Sequence, residues 1–243
     1  MSALPPSGAH LPAAAEAARL NERFGGLDAP ALLSLAIGFL FPGRIALVSS
    51  FGAESAVLLA LAAEVDPATP VIFLDTGKLH AETLAYRDRL VARLGLSDVR
   101  STRPDEEVLA KEDAEEWLWN DDPDRCCHLR KVLPLEAALR PFSAWITGRK
   151  RYQGGARGGL ALFEADAVGR IKLNPLAAWQ PGEIAAFLAA RELPQHPLGA
   201  RGFLSIGCIP CTRAVRPGEA MRAGRWAGRA KSECGIHLSI GSE

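Results

Sequence analysis

The chain has 243 residues, 48% of them hydrophobic, and its 28 Lys and Arg are matched by 28 Asp and Glu. That length suits one large domain, or one with an appendage, and it buries enough surface to fold without disulfides. Zero net charge argues against a general nucleic-acid binder, and the hydrophobic fraction argues against disorder.

The longest apolar stretch, Ala31 to Phe41, stops at Pro42-Gly43, short of the roughly 20 residues a bilayer crossing requires. Met1 to Leu20 lacks the basic start and apolar core of a signal peptide, and Pro5, Pro6 and Pro12 read as a loose lead-in. A cytoplasmic protein acting on neither membrane nor nucleic acid is expected.

From Arg44 onward short apolar runs alternate with amphipathic stretches, the mark of an α/β fold with a parallel sheet. Ile45 to Val48 predicts a strand running into the turn Ser49 to Ser55, then an apolar helix from Ala56 to about Ala63. Pro70 opens a second strand, Val71 to Leu74, ending in Asp75-Thr76-Gly77. A helix from about His80 to Gly95 carries Leu84, Val91 and Leu94 on one face, and Val99 to Thr102 reads as a further strand. Asp105 to Glu116 reads as a solvated acidic helix. Asp122-Pro123 is a helix start, leading into Cys126 and Cys127. Ala144 to Thr147 predicts a strand that ends in Gly148-Arg149-Lys150-Arg151, and Gln180-Pro181-Gly182-Glu183 starts another helix. After Pro194 the chain turns Gly- and Arg-rich. The expected organisation is a lead-in with helices over 1–43, a nucleotide-binding α/β unit over 44–197, and a CxxC segment with a mobile tail over 198–243.

Several turns have chemical meaning. A small hydroxyl-rich loop that opens a helix offers free N–H groups and a positive dipole end, which suit phosphate or sulfate. The Ser49–Ser55 turn has that character, although no Gly-Lys-Ser/Thr follows to make a Walker A loop. The turn at Asp75 lies on the same sheet edge, where open α/β folds bind ligands. Arg149, Lys150, Arg151 and Arg157 surround Gln153 and several glycines, a set able to clamp an anion.

The five cysteines are Cys126, Cys127, Cys208, Cys211 and Cys234, an odd number that points away from a disulfide scaffold. Cys208-Ile209-Pro210-Cys211 is a CxxC. With the adjacent pair it supplies four thiolates, the set used by an iron–sulfur cluster or a structural zinc. Neighbouring helical residues point about 100° apart, so the pair reaches one centre only if the centre is broad or the helix distorted. That favours a cluster over one zinc. Cys234 is left over, on a glycine-hinged tail near His237, and fits either a nucleophile or an exposed thiol.

Taken together, these segments resemble the assimilatory sulfonucleotide reductases, the APS/PAPS reductase family, and within it the thioredoxin-dependent branch acting on adenylyl sulfate (APS). The resemblance is carried by Ser49-Ser50-Phe51-Gly52-Ala53-Glu54-Ser55, Leu74-Asp75-Thr76-Gly77, Cys126-Cys127-His128-Leu129-Arg130-Lys131, Asn174-Pro175-Leu176, Ser205 to Arg213 and Glu233-Cys234-Gly235-Ile236-His237. It implies an adenine-nucleotide hydrolase-like, Rossmann-like sheet with helices on both faces. It implies a four-iron, four-sulfur cluster on Cys126, Cys127, Cys208 and Cys211, and Cys234 as the nucleophile that takes the sulfonate and is resolved by thioredoxin. Substrate contacts would come from Ser50, Phe51, Gly52 and Glu54, from Asp75, Thr76 and Gly77, and from Lys131. Lys150, Arg151, Gln153, Arg157, Arg222, Arg225 and His237 would complete them, in a chain expected to form homo-oligomers.

The chain departs from the family pattern at Tyr152-Gln153-Gly154, where an acidic residue and then Gln-Ser are usual. It departs also at Ala227-Gly228, where tryptophans are common, and at His196, where asparagine is. The alternatives are a PAPS reductase with the same mechanism, an ATP-dependent adenylating enzyme of the same fold, and a zinc-braced nucleotide-binding protein.

Overall fold

A computed structural model describes residues 12–237; the prolines at 5 and 6 lie outside the described residues. Three strands, β1 (Ile45–Ser49), β2 (Val71–Leu74) and β3 (Val99–Thr102), form one half of a parallel sheet. Beyond β1 lie β4 (Ala144–Ile146), β6 (Ile171–Leu173) and β5 (Phe163–Ala165), giving the order β3-β2-β1-β4-β6-β5. All pairs are parallel except β5 with β6. Leu47 therefore lies between Val71 and Ile146. The strand order reverses between β1 and β4, and at such a switch point the loops leave in opposite directions and open a crevice.

Alternate strand residues serve two cores. Ile45, Leu47, Val71 and Phe73 face one side, packed with α1 (Ala13–Phe24), α2 (Ala29–Leu35), α3 (Ser55–Val65), α4 (Ala81–Leu94) and α9 (Pro181–Ala190). Ala46, Ile72, Leu74 and Trp145 face the other, against Leu135 and Leu139 of α8 (Leu133–Leu139). Helices thus cover both faces, as expected. Between β3 and α8 run three short helices, α5 (Glu106–Glu112), α6 (Leu118–Asp121) and α7 (Pro123–Cys127).

The helix starts follow the local chemistry. Asp122 accepts from the Arg125 N–H at the head of α7, Pro181 follows a reciprocal Gln180–Glu183 cap at α9, and Gly95 ends α4 at φ 65°. After Pro12 the chain is helical and anchored, in keeping with the helices expected before residue 43. Ala17 and Leu20 of α1 are buried, and the Asn21 side chain exchanges hydrogen bonds of 2.7 and 2.9 Å with the Phe163 backbone. That amide occupies the free edge of β5, which would otherwise offer unpaired backbone groups.

Two sequence expectations change. The acidic stretch is not wholly a solvated face, because Asp113 is buried and paired with Arg130 at 2.5 Å. The short hairpin of β5 and β6, not anticipated from the sequence, completes the sheet.

Candidate active site

The crevice at the switch point holds a cavity of about 220 Å³. Its floor is the turn after β1. There Phe51 adopts φ 46° with its ring buried edge-on against Phe73, 5.4 Å between centroids. A non-glycine residue holds a left-handed backbone at a cost, and here the buried ring supplies the offset. Ser49 Oγ accepts from the Phe51 N–H at 3.1 Å and Ser55 Oγ from the Gly52 N–H at 2.9 Å, which shapes the turn that opens α3. Ser50, Gly52 and Glu54 line the cavity, whereas Phe51 is core.

Lys150 and Gln153 line the wall after β4, and both bind the Glu54 carboxylate, at 2.8 and 3.3 Å, with Tyr152 donating to its other oxygen. Burial lowers the Lys150 pKa, and the Glu54 charge opposes that shift. Burial, then the bond to Glu54, pushes the Tyr152 phenol up, so it stays a donor. Arg151 turns away and donates to the Leu160 carbonyl at 2.8 Å. Arg149 instead lines the cavity, bound to Glu164 and Asn174, with its buried Nε lacking a partner among the described residues.

The segment after Pro194 closes the cavity. Arg222, Arg225, Glu233, Cys234 and His237 all line it. The Arg225 guanidinium stacks on Trp226, 4.3 Å from the ring centroid, and lies flat over Gly207, where a Cβ would stand 2.4 Å from it. Only glycine leaves that space. Glu233 meets Arg157 through two bonds of 2.6 and 2.8 Å and lies 3.4 Å from Arg222. His237 stacks on Trp145 at an interplanar angle of 3°, and burial, then Arg149 and Arg157, holds its pKa well below the ordinary value. It is a neutral imidazole at pH 7.

The second polar turn does different work from that expected. Asp75 accepts from the Gly77 N–H at 3.2 Å and pairs with Arg103 at 2.8 Å, and neither Asp75 nor Gly77 lines the cavity. Thr76 does, and its Oγ1 lies 3.2 Å from Cys208 Sγ. The Ile209 N–H donates to the Lys78 carbonyl at 2.8 Å, so this turn carries the CxxC.

Cys126, Cys127, Cys208 and Cys211 line one small adjoining cavity together with Lys131 and Arg130. Immediately after the cysteine pair the helix widens into a π-helical turn, His128–Val132, the local distortion an adjacent pair needs. Burial pushes the Cys126 thiol up to about 11, with the Cys127 charge adding to it. Burial also raises the Cys208 pKa, but Lys131, the Thr76 bond and Arg225 outweigh it and the net shift is downward. Among the described residues no three His, Cys, Asp or Glu side chains are placed to hold a single metal ion. Four sulfurs around one cavity are a donor set that an iron–sulfur cluster or a zinc ion would use.

Glu233 and Thr147 also line the cavity, although no sequence motif marks them as site residues, and Arg149 carries only the basic-loop signal. Glu233 stood next to the chosen cysteine, and its acidity beside so many arginines was the available signal.

A model of the phosphoadenosine phosphosulfate reductase domain matches residues 44–214. The chain is 51% identical to an adenosine 5'-phosphosulfate reductase of Chelativorans sp. (strain BNC1), over 94% of this chain and 93% of that one. It is 42% identical to a phosphoadenosine 5'-phosphosulfate reductase of Gloeobacter violaceus, over 81% and 83%. Among solved structures it resembles a phosphoadenylyl-sulfate reductase of Candida auris in its phosphate complex. That match has TM-score 0.69 and 25% identity and covers 82% of this chain and 96% of that chain. An FMN adenylyltransferase of Candida glabrata, at TM-score 0.56 and 17% identity over 83% and 74% of the two chains, shares the fold alone. On both sequence and architecture, the chain belongs to the phosphoadenosine phosphosulfate reductase family.

Proposed function

We propose that this protein reduces adenylyl sulfate to sulfite and AMP, with Cys234 as the nucleophile and thioredoxin as the reductant. The observation that carries the reading is the placing of Cys234 in the cation-lined cavity at the switch point, while the other four cysteines gather around an adjoining cavity that Cys208 shares with the first. The Cys234 thiolate attacks the sulfate sulfur, the bond from that sulfur to the phosphate-bridging oxygen breaks, and AMP leaves with its electron pair. A thioredoxin thiolate then attacks Cys234 Sγ of the S-sulfonate. Sulfite departs, and the second thioredoxin thiol resolves the mixed disulfide, returning Cys234 as a thiol and leaving thioredoxin oxidised.

Bringing a thiolate to a dianionic nucleotide costs on the order of 4 kcal/mol per pair of unit charges at 4 Å and effective dielectric 20. Lys131, Arg222 and Arg225 line the cavity and offset that repulsion. Neutral His237, with Nδ1 lacking a partner among the described residues, is suited to hydrogen-bond the reacting groups. Cys126, Cys127, Cys208 and Cys211 would hold a four-iron, four-sulfur cluster. When bound, the cluster supplies a fixed charge beside the pocket and braces the CxxC segment against α7. Lys131 lines both cavities and would link that charge to the substrate.

The higher identity to an adenosine 5'-phosphosulfate reductase than to a phosphoadenosine 5'-phosphosulfate reductase, 51% against 42%, supports adenylyl sulfate over its 3'-phosphorylated form. Sulfite release from the two nucleotides in competition, with reduced thioredoxin, tests the reading. Preference for adenylyl sulfate, abolished in Cys234→Ser, is expected; equal or greater use of the phosphorylated form would reassign the substrate.

A further inference from the structure

The chain from Ala214 to His237 contains no helix or strand, so no backbone ladder holds Cys234 in place. Side chains on either flank do so instead. After Cys234, Gly235 turns the backbone at φ 88°, Ile236 packs on the core around Leu135 and Trp145, and His237 stacks on Trp145. Before it, the Glu233 carboxylate accepts from Arg157 Nε at 2.6 Å and Nη2 at 2.8 Å, a two-pronged fork that fixes direction as well as distance. Arg222 donates to the Ser232 carbonyl at 2.7 Å and lies 3.4 Å from the same carboxylate. Arg157 is itself held, with Nη1 on Gln153. Both partners of the fork are largely buried, at 11% and 12% exposure, so the contact is not a screened surface pair.

We propose that Glu233 is the positioning residue for the nucleophile: by forking onto Arg157 it fixes the backbone at Cys234 and seats the sulfur in the pocket. This rests on the reading of Cys234 as nucleophile. Glu233 contacts no reacting atom in this account and acts only through the arginine. Removing the carboxylate leaves the Ile236 and His237 anchor intact but lets the segment swing about Gly235. A nucleophile displaced by about 1 Å loses on the order of 10²-fold in rate.

Two measurements on the full-length protein test it. In the first, nucleotide-free protein is treated with iodoacetamide, and alkylation of Cys234 is followed by peptide mass spectrometry. Rates are compared at the high-pH plateau, where every variant is fully thiolate and the local charge no longer matters. Glu233→Gln is expected to react about tenfold faster than wild type, and Glu233→Asp to recover part of the protection. In the second, single-turnover S-sulfonate formation from saturating adenylyl sulfate without reductant is expected to slow about 10²-fold in Glu233→Gln, with AMP binding not weakened. Alkylation of Glu233→Gln at the wild-type rate overturns the proposal, as does a defect confined to weaker nucleotide binding. If wild-type protein forms no S-sulfonate at all, the nucleophile assignment fails, and the alkylation rates still decide whether Glu233 holds the tail.

Discussion

The Lys131 ammonium lies 3.8 Å from the Cys127 sulfur, reached from one turn further along the same helix. Lys131 also lines the nucleotide pocket, so one side chain belongs to both cavities. Burial alone would lower its pKa, but negative charge on the Cys208, Cys234 and Cys127 sulfurs outweighs burial and the net shift is upward, favouring the ammonium with sulfur on several sides.

Replacing Lys131 by Gln keeps a hydrogen-bonding end, one atom shorter, but removes the charge that offsets thiolate–substrate repulsion. We expect kcat/KM to fall about 10²-fold, or roughly 2.7 kcal/mol of transition-state stabilisation, with iron content unchanged. Steady-state kinetics beside iron analysis checks this, and a variant within threefold of wild type would remove Lys131 from the mechanism.

Gly207 leaves room for the Arg225 guanidinium, and a methyl group there would collide with it at 2.4 Å. Because the colliding group is the end of a flexible side chain, Gly207→Ala should cost no more than about 1 kcal/mol of stability. The displaced cation should instead weaken AMP binding about tenfold. Calorimetric titration with AMP, alongside thermal melting, separates the two effects.

His196 gives the fold an acid-sensitive point remote from the chemistry. It is buried, with Nε2 3.0 Å from Thr83 Oγ1 and Nδ1 accepting from the Leu198 N–H at 3.2 Å. Burial, reinforced by His80, pushes its pKa down from 6.5 to about 4. The unfolded chain therefore binds this proton more readily than the folded one. The contribution is complete above about pH 6.5 and is lost as pH falls towards 4, amounting to about 3 kcal/mol. His196→Asn keeps an acceptor for the Leu198 N–H without a titrating ring. Denaturant midpoints at pH 7 and pH 4.5 should differ less in the variant than in wild type.

The donor set of four cysteines predicts a brown protein when purified without oxygen, with broad visible absorption and about four irons per chain. Cys208→Ser should lose most of that iron. Stoichiometric zinc with no visible absorption would support the zinc-braced alternative.

Local chemistry made much of the fold legible beforehand. The apolar runs at Ile45, Val71 and Ala144 are buried strands because both faces of a parallel sheet are covered, and the caps at Asp122, Gln180 and Gly95 act within a few residues of themselves. The rest depends on partners distant in sequence. The three-residue strands β5 and β6 carry Glu164 and Lys172, and Glu164 pairs with both Lys172 and Arg149, charges that hide their strand character. Asp113 reads as one more acid on a solvated helix until Arg130 is folded against it. At the site, the glycine-framed turns and the cysteine set were visible as motifs. The turn's motif suggests that Phe51 faces the ligand, yet its ring packs in the core, and the Glu233–Arg157 fork joins residues 76 apart, which no local pattern reveals.

Mass spectrometry of protein incubated with adenylyl sulfate, reductant excluded, addresses the division of labour among the cysteines most directly. One sulfonate per chain, located on the peptide that carries Cys234 and discharged by thioredoxin, is the predicted result. A sulfonate on any of the other four cysteines, or turnover to sulfite with no adduct at Cys234, would contradict it.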